Sequence, residues 1–213
     1  MGHTRPPLLV VCALRIERFA LRRGAARSAA STADAPDLAD TVTVLRTGMG
    51  PKAAHHAVVE ALHDPKLHDA AVVTTGFCAG LAPGMRPGDI VVADDGHESA
   101  VLAAALKAVL ADRGHTVHTG TLAESDHVVR GAERTALAAT GAIAVDMESA
   151  AMRRAALSEG AHRVAAARVV VDTPEYELVR VGTLRTGIIA FRVLRDLVPA
   201  LLEWHRTTAL PWR

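Results

Sequence analysis

From residue 8 to residue 14 the chain reads Leu-Leu-Val-Val-Cys-Ala-Leu with no polar position, the pattern of a short strand buried on both faces. Residues 15–27 have helical spacing but are heavily basic, and residues 24–40, rich in small side chains, read as a helix end and a loop. Residues 41–46 alternate as a strand does and run into Thr47-Gly48-Met49-Gly50-Pro51, a strand-to-helix turn with proline near the first helical position. A helix over 52–63 follows. Residues 71–75 predict another buried strand that ends in a glycine turn at 76–80, and Pro87-Gly88-Asp89 is a turn into a strand over 90–93. Further along, the pattern predicts helices over 101–113, 133–139 and 149–159, strands over 115–122, 143–145 and 164–171, and one closing amphipathic helix over 183–204. Strands alternating with helices predict an α/β fold: a three-layer α/β/α sandwich around a mixed, largely parallel central sheet.

Composition narrows the class. The chain has 213 residues, about half of them apolar, enough for one substantial core, so residues 1–213 read as a single domain without repeat, linker or low-complexity tail. Lys plus Arg number 24 and Asp plus Glu 23, so there is no overall field to hold nucleic acid by its phosphates. Cys12 and Cys78 are the only cysteines. They make neither a disulfide framework nor a zinc site, and a reducing, cytoplasmic location is expected. The apolar run of residues 8–14 meets Arg15 after seven residues, too short for a membrane span and without the form of a signal peptide. The 11 histidines fall into no metal-ligand spacing, and His55 and His56, being adjacent, point to different sides of their helix. No metal and no organic cofactor are expected.

In open α/β sheets ligands sit at the carboxyl ends of strands, where helix N-termini offer unpaired N–H groups. The polar signals fall there. Thr47-Gly48-Met49-Gly50 follows a strand and lets backbone approach an anion or a sugar, although such a turn is often only a turn. Thr74-Thr75-Gly76-Phe77-Cys78-Ala79-Gly80 repeats the arrangement with two hydroxyls; its plain alternative is a tight connection in which Cys78 is a small buried hydrophobe. Asp146-Met147-Glu148 lies between an apolar strand and a helix. Asp146 there suits a helix cap, whereas Glu148 could accept hydrogen bonds from two neighbouring hydroxyls, as a ribose diol offers. Asp172 ends the run Val169-Val170-Val171 and precedes Thr173-Pro174. It is either a turn former or a carboxyl able, with its pKa raised by burial, to give a proton to a leaving base. Arg15, just past the first strand, is the best placed cation for an oxyanion, set against a segment that Arg18, Arg22 and Arg23 make basic in general.

In this order along the chain, over roughly residues 8–176, these pieces resemble the superfamily of purine nucleoside phosphorylases, uridine phosphorylases and methylthioadenosine/S-adenosylhomocysteine nucleosidases. TGMGPKAA (47–54) is similar to the family's GxG turn and helix, and TTGFCAGLAPGMRPGDIVVAD (74–94) to its glycine-rich turn and GDIVV strand. AVDMESAAM (144–152) is similar to its Met-Glu ribose motif, and RVVVDTP (168–174) to the strand bearing its catalytic Asp. The resemblance implies that Glu148 grips the ribose hydroxyls with Met147 packed on the sugar. It implies further that Asp172 hydrogen-bonds or protonates a purine at N7, and that residues 125–129 line the base, which would rest against Gly76, Val128, Val129 and Asp172.

The departure is at the N-terminus. Nucleosidases of this family carry a Glu soon after the first strand to activate water, and here that position is Arg15, with Glu17 two residues on. An arginine there resembles the phosphorylases, in which phosphate itself attacks. Phosphorolysis of an adenine nucleoside to free base and ribose 1-phosphate is therefore expected, with phosphate as co-substrate held by Arg15, Gly50 and Thr75. The run SDHVV (125–129) and the compact length look most like the phosphorylases of hopanoid biosynthesis, which act on adenosylhopane; the apolar lining for the lipid would come from residues 24–40 and 175–181. The alternatives are a hydrolytic nucleosidase acting on methylthioadenosine, S-adenosylhomocysteine or futalosine, with a role for Glu17, and a non-catalytic nucleoside-binding protein. The resemblance also implies a homo-oligomer.

Overall fold

The computed structural model describes residues 6–30, 42–175 and 183–208. Along the chain it contains β1 (Leu8–Cys12), α1 (Arg15–Ala30), β2 (Val42–Arg46), α2 (Pro51–Leu62), β3 (Ala71–Gly80), β4 (Ile90–Ala93) and α3 (His97–Leu110). Then come β5 (Val117–Glu124), α4 (Ala132–Ala139), β6 (Ala142–Asp146), α5 (Ser149–Ser158), β7 (Val164–Asp172), α6 (Thr183–Asp196) and α7 (Val198–Thr208). The strands form one mixed sheet in the order β2-β1-β3-β6-β5-β4-β7. Pairs β1–β2, β1–β3, β3–β7, β4–β5 and β5–β6 are parallel; β3–β6 and β4–β7 are antiparallel. Because β3 also pairs with β7, strands β3, β6, β5, β4 and β7 close on themselves, and β1 and β2 continue the sheet outward.

Alternation along β1 divides the core between two faces, as a period of two requires. Leu8, Val10 and Cys12 pack with α1, α3, α6 and α7. Leu9 and Val11 pack with Ala54 and Val58 of α2 and with Ala151, Met152, Ala155 and Ala156 of α5. Helices thus cover both faces, as the strand–helix alternation predicts. A smaller cluster of Cys78, Met85, Val91, Ala144 and Val170 joins strands of the closed part.

Three elements differ from the sequence expectation. Residues 76–80 are not a turn: β3 runs on to Gly80, parallel to β7 through Cys78↔Val170, then antiparallel to β6 at Ala79↔Val145. Helix α1 continues through Gly24 to Ala30. Gly24 is glycine there because a Cβ would strike the Arg195 carbonyl and come within 2.6 Å of Val198 Cγ2; it marks a close helix approach and not a helix end. The closing helix is two, broken at Leu197. Pro199, the second residue of α7, has no N–H to offer the preceding turn, and the Leu197 carbonyl accepts instead from Ala200 and Leu201, at 2.9 and 3.2 Å.

Candidate functional site

The carboxyl ends of β1, β3, β6 and β7 converge on a cavity of about 300 Å³ whose wall includes Glu17, Phe77, Met147, Glu148, Arg134 and Asp172. Four carboxylates line it: Glu17 from α1, Asp146 and Glu148 from the junction of β6 and α5, and Asp172 from β7.

Glu17 lies in the first turn of α1 and is only 2% exposed. Its Oε2 accepts from the backbone N–H groups of Ala13 and Leu14, at 2.9 and 2.8 Å, and its Oε1 from the N–H of Phe77 at 2.8 Å. An acid at a helix N-terminus satisfies donors that the helix itself leaves open. Here the same acid also pins α1 to β3. Space for it is left by Gly76, where φ is +141° and a Cβ would come within 2.6 Å of both Glu17 Oε1 and Arg168 Nη1.

Arg168 of β7 is fully buried. Its Nε stands 2.7 Å from Asp146 Oδ2, and its Nη1 donates to the Thr75 carbonyl at 2.9 Å. Asp146 in turn accepts from Ser149 Oγ at 2.6 Å and from Ser149 N, so it caps the start of α5 while holding the buried guanidinium. Glu148, 8% exposed, accepts at Oε1 from the N–H of Gly50 at 2.9 Å. Burial pushes its carboxyl above the usual glutamate range, with Asp146 and Glu17 adding to the rise, while the Gly50 N–H and Arg168 oppose it.

On the same cavity wall, Nη2 of Arg134 donates to both oxygens of Asp172, each at 2.7 Å, and its Nε donates to the Val129 carbonyl at 3.2 Å. His127, on the same segment as Val129, has Nδ1 2.7 Å from Asp126 and Nε2 3.0 Å from Glu133. These two carboxylates raise its pKa.

Of the residues expected from sequence, Met147, Glu148, Val128, Val129 and Asp172 share this one cavity. The trio expected on a phosphate does not come together. Arg15 is exposed and off the cavity wall, and Thr75 is buried beneath it with its carbonyl engaged by Arg168. Gly50 reaches the site only through its bond to Glu148. Gly76, expected against the base, lies beneath the wall between Glu17 and Arg168. The reason is helical geometry: residues two apart in one turn face different sides, and α1 turns Glu17 inward and Arg15 to solvent. Arg134 is the functional candidate the sequence reading missed; its signal was an arginine three and four residues before Leu137 and Ala138, on the one apolar face of α4.

Cys78 lines the cavity but is no nucleophile, because burial pushes its thiol well above the ordinary range, with Asp146 and Asp172 adding. Among the described residues no group of three His, Cys, Asp or Glu could hold a metal ion, and no helix is long and apolar enough to cross a membrane. The stretches expected to line a lipid site fall largely on residues 31–41 and 176–182, outside the described residues.

Residues 36–99 match the model of the Phosphorylase superfamily. No curated protein matches the chain by sequence. Among solved structures, it is similar to a 5′-methylthioadenosine/S-adenosylhomocysteine nucleosidase from S. pneumoniae bound to a transition-state inhibitor (20% identity, 92% of this chain and 98% of that one, TM-score 0.69). It is similar also to the nucleosidase of the same name from Neisseria meningitidis (17% identity, 93% and 99%, TM-score 0.71). A third is futalosine hydrolase from Helicobacter pylori (13% identity, 97% and 100%, TM-score 0.68). At these identities the likeness is one of fold.

Proposed function

We propose that this chain hydrolyses the N-glycosidic bond of an adenine nucleoside. The observation that carries the reading is Glu17, a carboxylate fixed by three backbone N–H groups on the wall of the cavity that also holds Glu148 and Asp172. Glu148 accepts from the ribose hydroxyls, with Met147 against the sugar. Asp172 meets the base at N7. The bond between C1′ and N9 breaks with its electron pair going to the base, which takes at N7 a proton relayed from solvent through Asp172; Glu17 later returns to solvent the proton it receives. Water adds its oxygen to C1′ and gives a proton to Glu17, leaving free base and ribose. General acid and general base assistance are each worth about 10²–10⁴ in rate.

Phosphorolysis, the expectation drawn from Arg15, is disfavoured by the charge of the site. Arg15 faces away, and the one arginine on the described cavity wall, Arg134, is committed to Asp172. A phosphate placed beside Glu17 would meet a negative charge. Met49, 71% exposed, and Val128, 62% exposed, are large apolar residues on the rim, which suits an apolar 5′ substituent, either alkylthio or lipid.

The test measures adenine release from adenosine, 5′-methylthioadenosine and a 5′-lipidated adenosine, with and without inorganic phosphate. Equal release in both conditions, ribose as the product, and a fall of about 10²–10⁴ in kcat for Glu17→Gln are expected. Release that needs phosphate and gives ribose 1-phosphate overturns hydrolysis. Tight binding with no release makes the protein a nucleoside sensor.

A further inference from the structure

We infer that Arg134 is a positioning residue that sets the base-facing carboxylate and the wall behind the base as one unit. The inference deepens the reading above and rests on it. In α4, Arg134 is the one buried residue, with its side chain 9% exposed. Burying a guanidinium is costly unless its charge and its N–H groups are met, and a leucine would fill the same helix face at no such cost. The arginine is met at two points. Nη2 bonds both oxygens of Asp172, and Nε bonds the carbonyl of Val129. The guanidinium is planar and rigid, so it fixes the distance between the end of β7 and the segment 125–129 that precedes α4. Both Arg134 and Asp172 lie on the cavity wall, which a pair serving only the core would not require. The other charged groups on that wall are Glu17, Asp146, Glu148 and His127. All four have bonding partners away from Asp172: Glu17 and Glu148 on backbone N–H groups, Asp146 on Arg168 and Ser149, and His127 on Asp126 and Glu133.

A carboxyl that must meet one ring nitrogen of a bound purine loses rate when it is free to rotate, since orientation is a large part of the barrier. The role of Arg134 is then confined to leaving groups that need help at the base. An aryl riboside with a nitrophenolate leaving group departs without protonation and uses the sugar and water ends of the site alone.

The experiment compares wild type, Arg134→Gln, Arg134→Lys, Asp172→Asn and the double variant on 5′-methylthioadenosine and on p-nitrophenyl β-D-ribofuranoside, with circular dichroism to check folding. Arg134→Gln is expected to lower kcat on the nucleoside by about 100-fold with KM changed little, and to change the aryl riboside rate by less than about threefold. Lysine restores part of the nucleoside rate. The double variant falls no further than Asp172→Asn, because the two residues act as a unit. It also removes both buried charges together, so it remains a folded comparison if Arg134→Gln alone leaves Asp172 unpaired and unfolds. Equal losses on both substrates in a folded variant, or no loss on either, overturn the inference. A wild type inactive on every nucleoside but retaining its fold overturns the proposed function first.

Discussion

The N–H of Gly50 donates to Glu148 Oε1 at 2.9 Å, tying the turn after β2 to the end of β6 across 98 positions of chain. This bond occupies one face of the carboxylate and leaves its second oxygen, together with a free lone pair, for a ligand in the cavity. It is the sort of contact that orients an acceptor toward a pair of hydroxyls.

Replacing Glu148 by Gln keeps a carbonyl oxygen for Gly50 but weakens any hydrogen bond from the sugar, because the acceptor loses its charge. Hydrogen bonds to charged groups are worth about 1.5–3 kcal/mol. Glu148→Gln should therefore lower kcat/KM on adenosine by about 10- to 100-fold, with a smaller fall on 2′-deoxyadenosine, which presents one hydroxyl fewer. Steady-state kinetics on the two nucleosides checks it; equal falls on both count against a contact with the diol.

The same residue gives a stability prediction of opposite sense. Burial raises the Glu148 carboxyl above its ordinary value, so the folded state holds this proton more tightly than the unfolded chain does. Its contribution to stability is full below the unfolded pKa and is lost as pH rises through the folded one. At neutral pH the ionised group costs stability, and Glu148→Gln should melt above wild type. The two curves should converge toward ~pH 3, below the unfolded pKa, where the carboxyl is neutral in both states. Thermal melts from ~pH 3 to ~pH 8 test this, and a difference independent of pH would show that burial of the charge is not the cause.

How far the fold could be read from sequence follows from where each signal lies. The runs at 8–14 and 164–171 were legible because continuous apolar residues between polar segments have few solutions, and β1 and β7 begin where they were expected. Residues 76–80 were misread because glycines usually mark turns, whereas Gly76 is there for lack of a Cβ beside Glu17 and Arg168, residues brought in from α1 and β7. Sequence spacing carries no trace of that crowding. Glu148 and Asp172 stood out as carboxylates at the ends of apolar strands. Arg134 did not, since an arginine on a short helix is usually solvated, and its partner is 38 positions away. Arg15 and Glu17 were the two open candidates for one place; the rotation of α1 decides which of them enters the cavity.

The cysteines should be silent in the native protein. Cys12 is fully buried with its thiol pushed up to about 12, by burial first and Glu17 second, and Cys78 is raised further. Neither should react with a disulfide reagent at ~pH 8 until the chain unfolds, because the thiolate is the reactive form. Cys78→Ala should cost about 1–2 kcal/mol of stability through the lost packing and leave kcat within about twofold. Rapid modification of the folded protein, or loss of turnover with the alanine variant, would give Cys78 a part in the chemistry after all.

Gly76→Ala tests whether β3 was built around the buried charges. A Cβ at this position would sit 2.6 Å from Glu17 Oε1 and equally close to Arg168 Nη1, at a φ of +141° that side chains rarely adopt. Neither neighbour can move freely, since Glu17 is held by three backbone donors and Arg168 by Asp146 and the Thr75 carbonyl. Strain of this kind costs about 2–4 kcal/mol. The variant should melt well below wild type and lose turnover beyond what its stability explains, because the displaced group is the proposed base. In a Glu17→Ala background one of the two clashes disappears, so the stability cost of Gly76→Ala should shrink there. If the cost is the same in both backgrounds, the crowding lies with Arg168 and the backbone alone, and Glu17 is not what fixed glycine at this position.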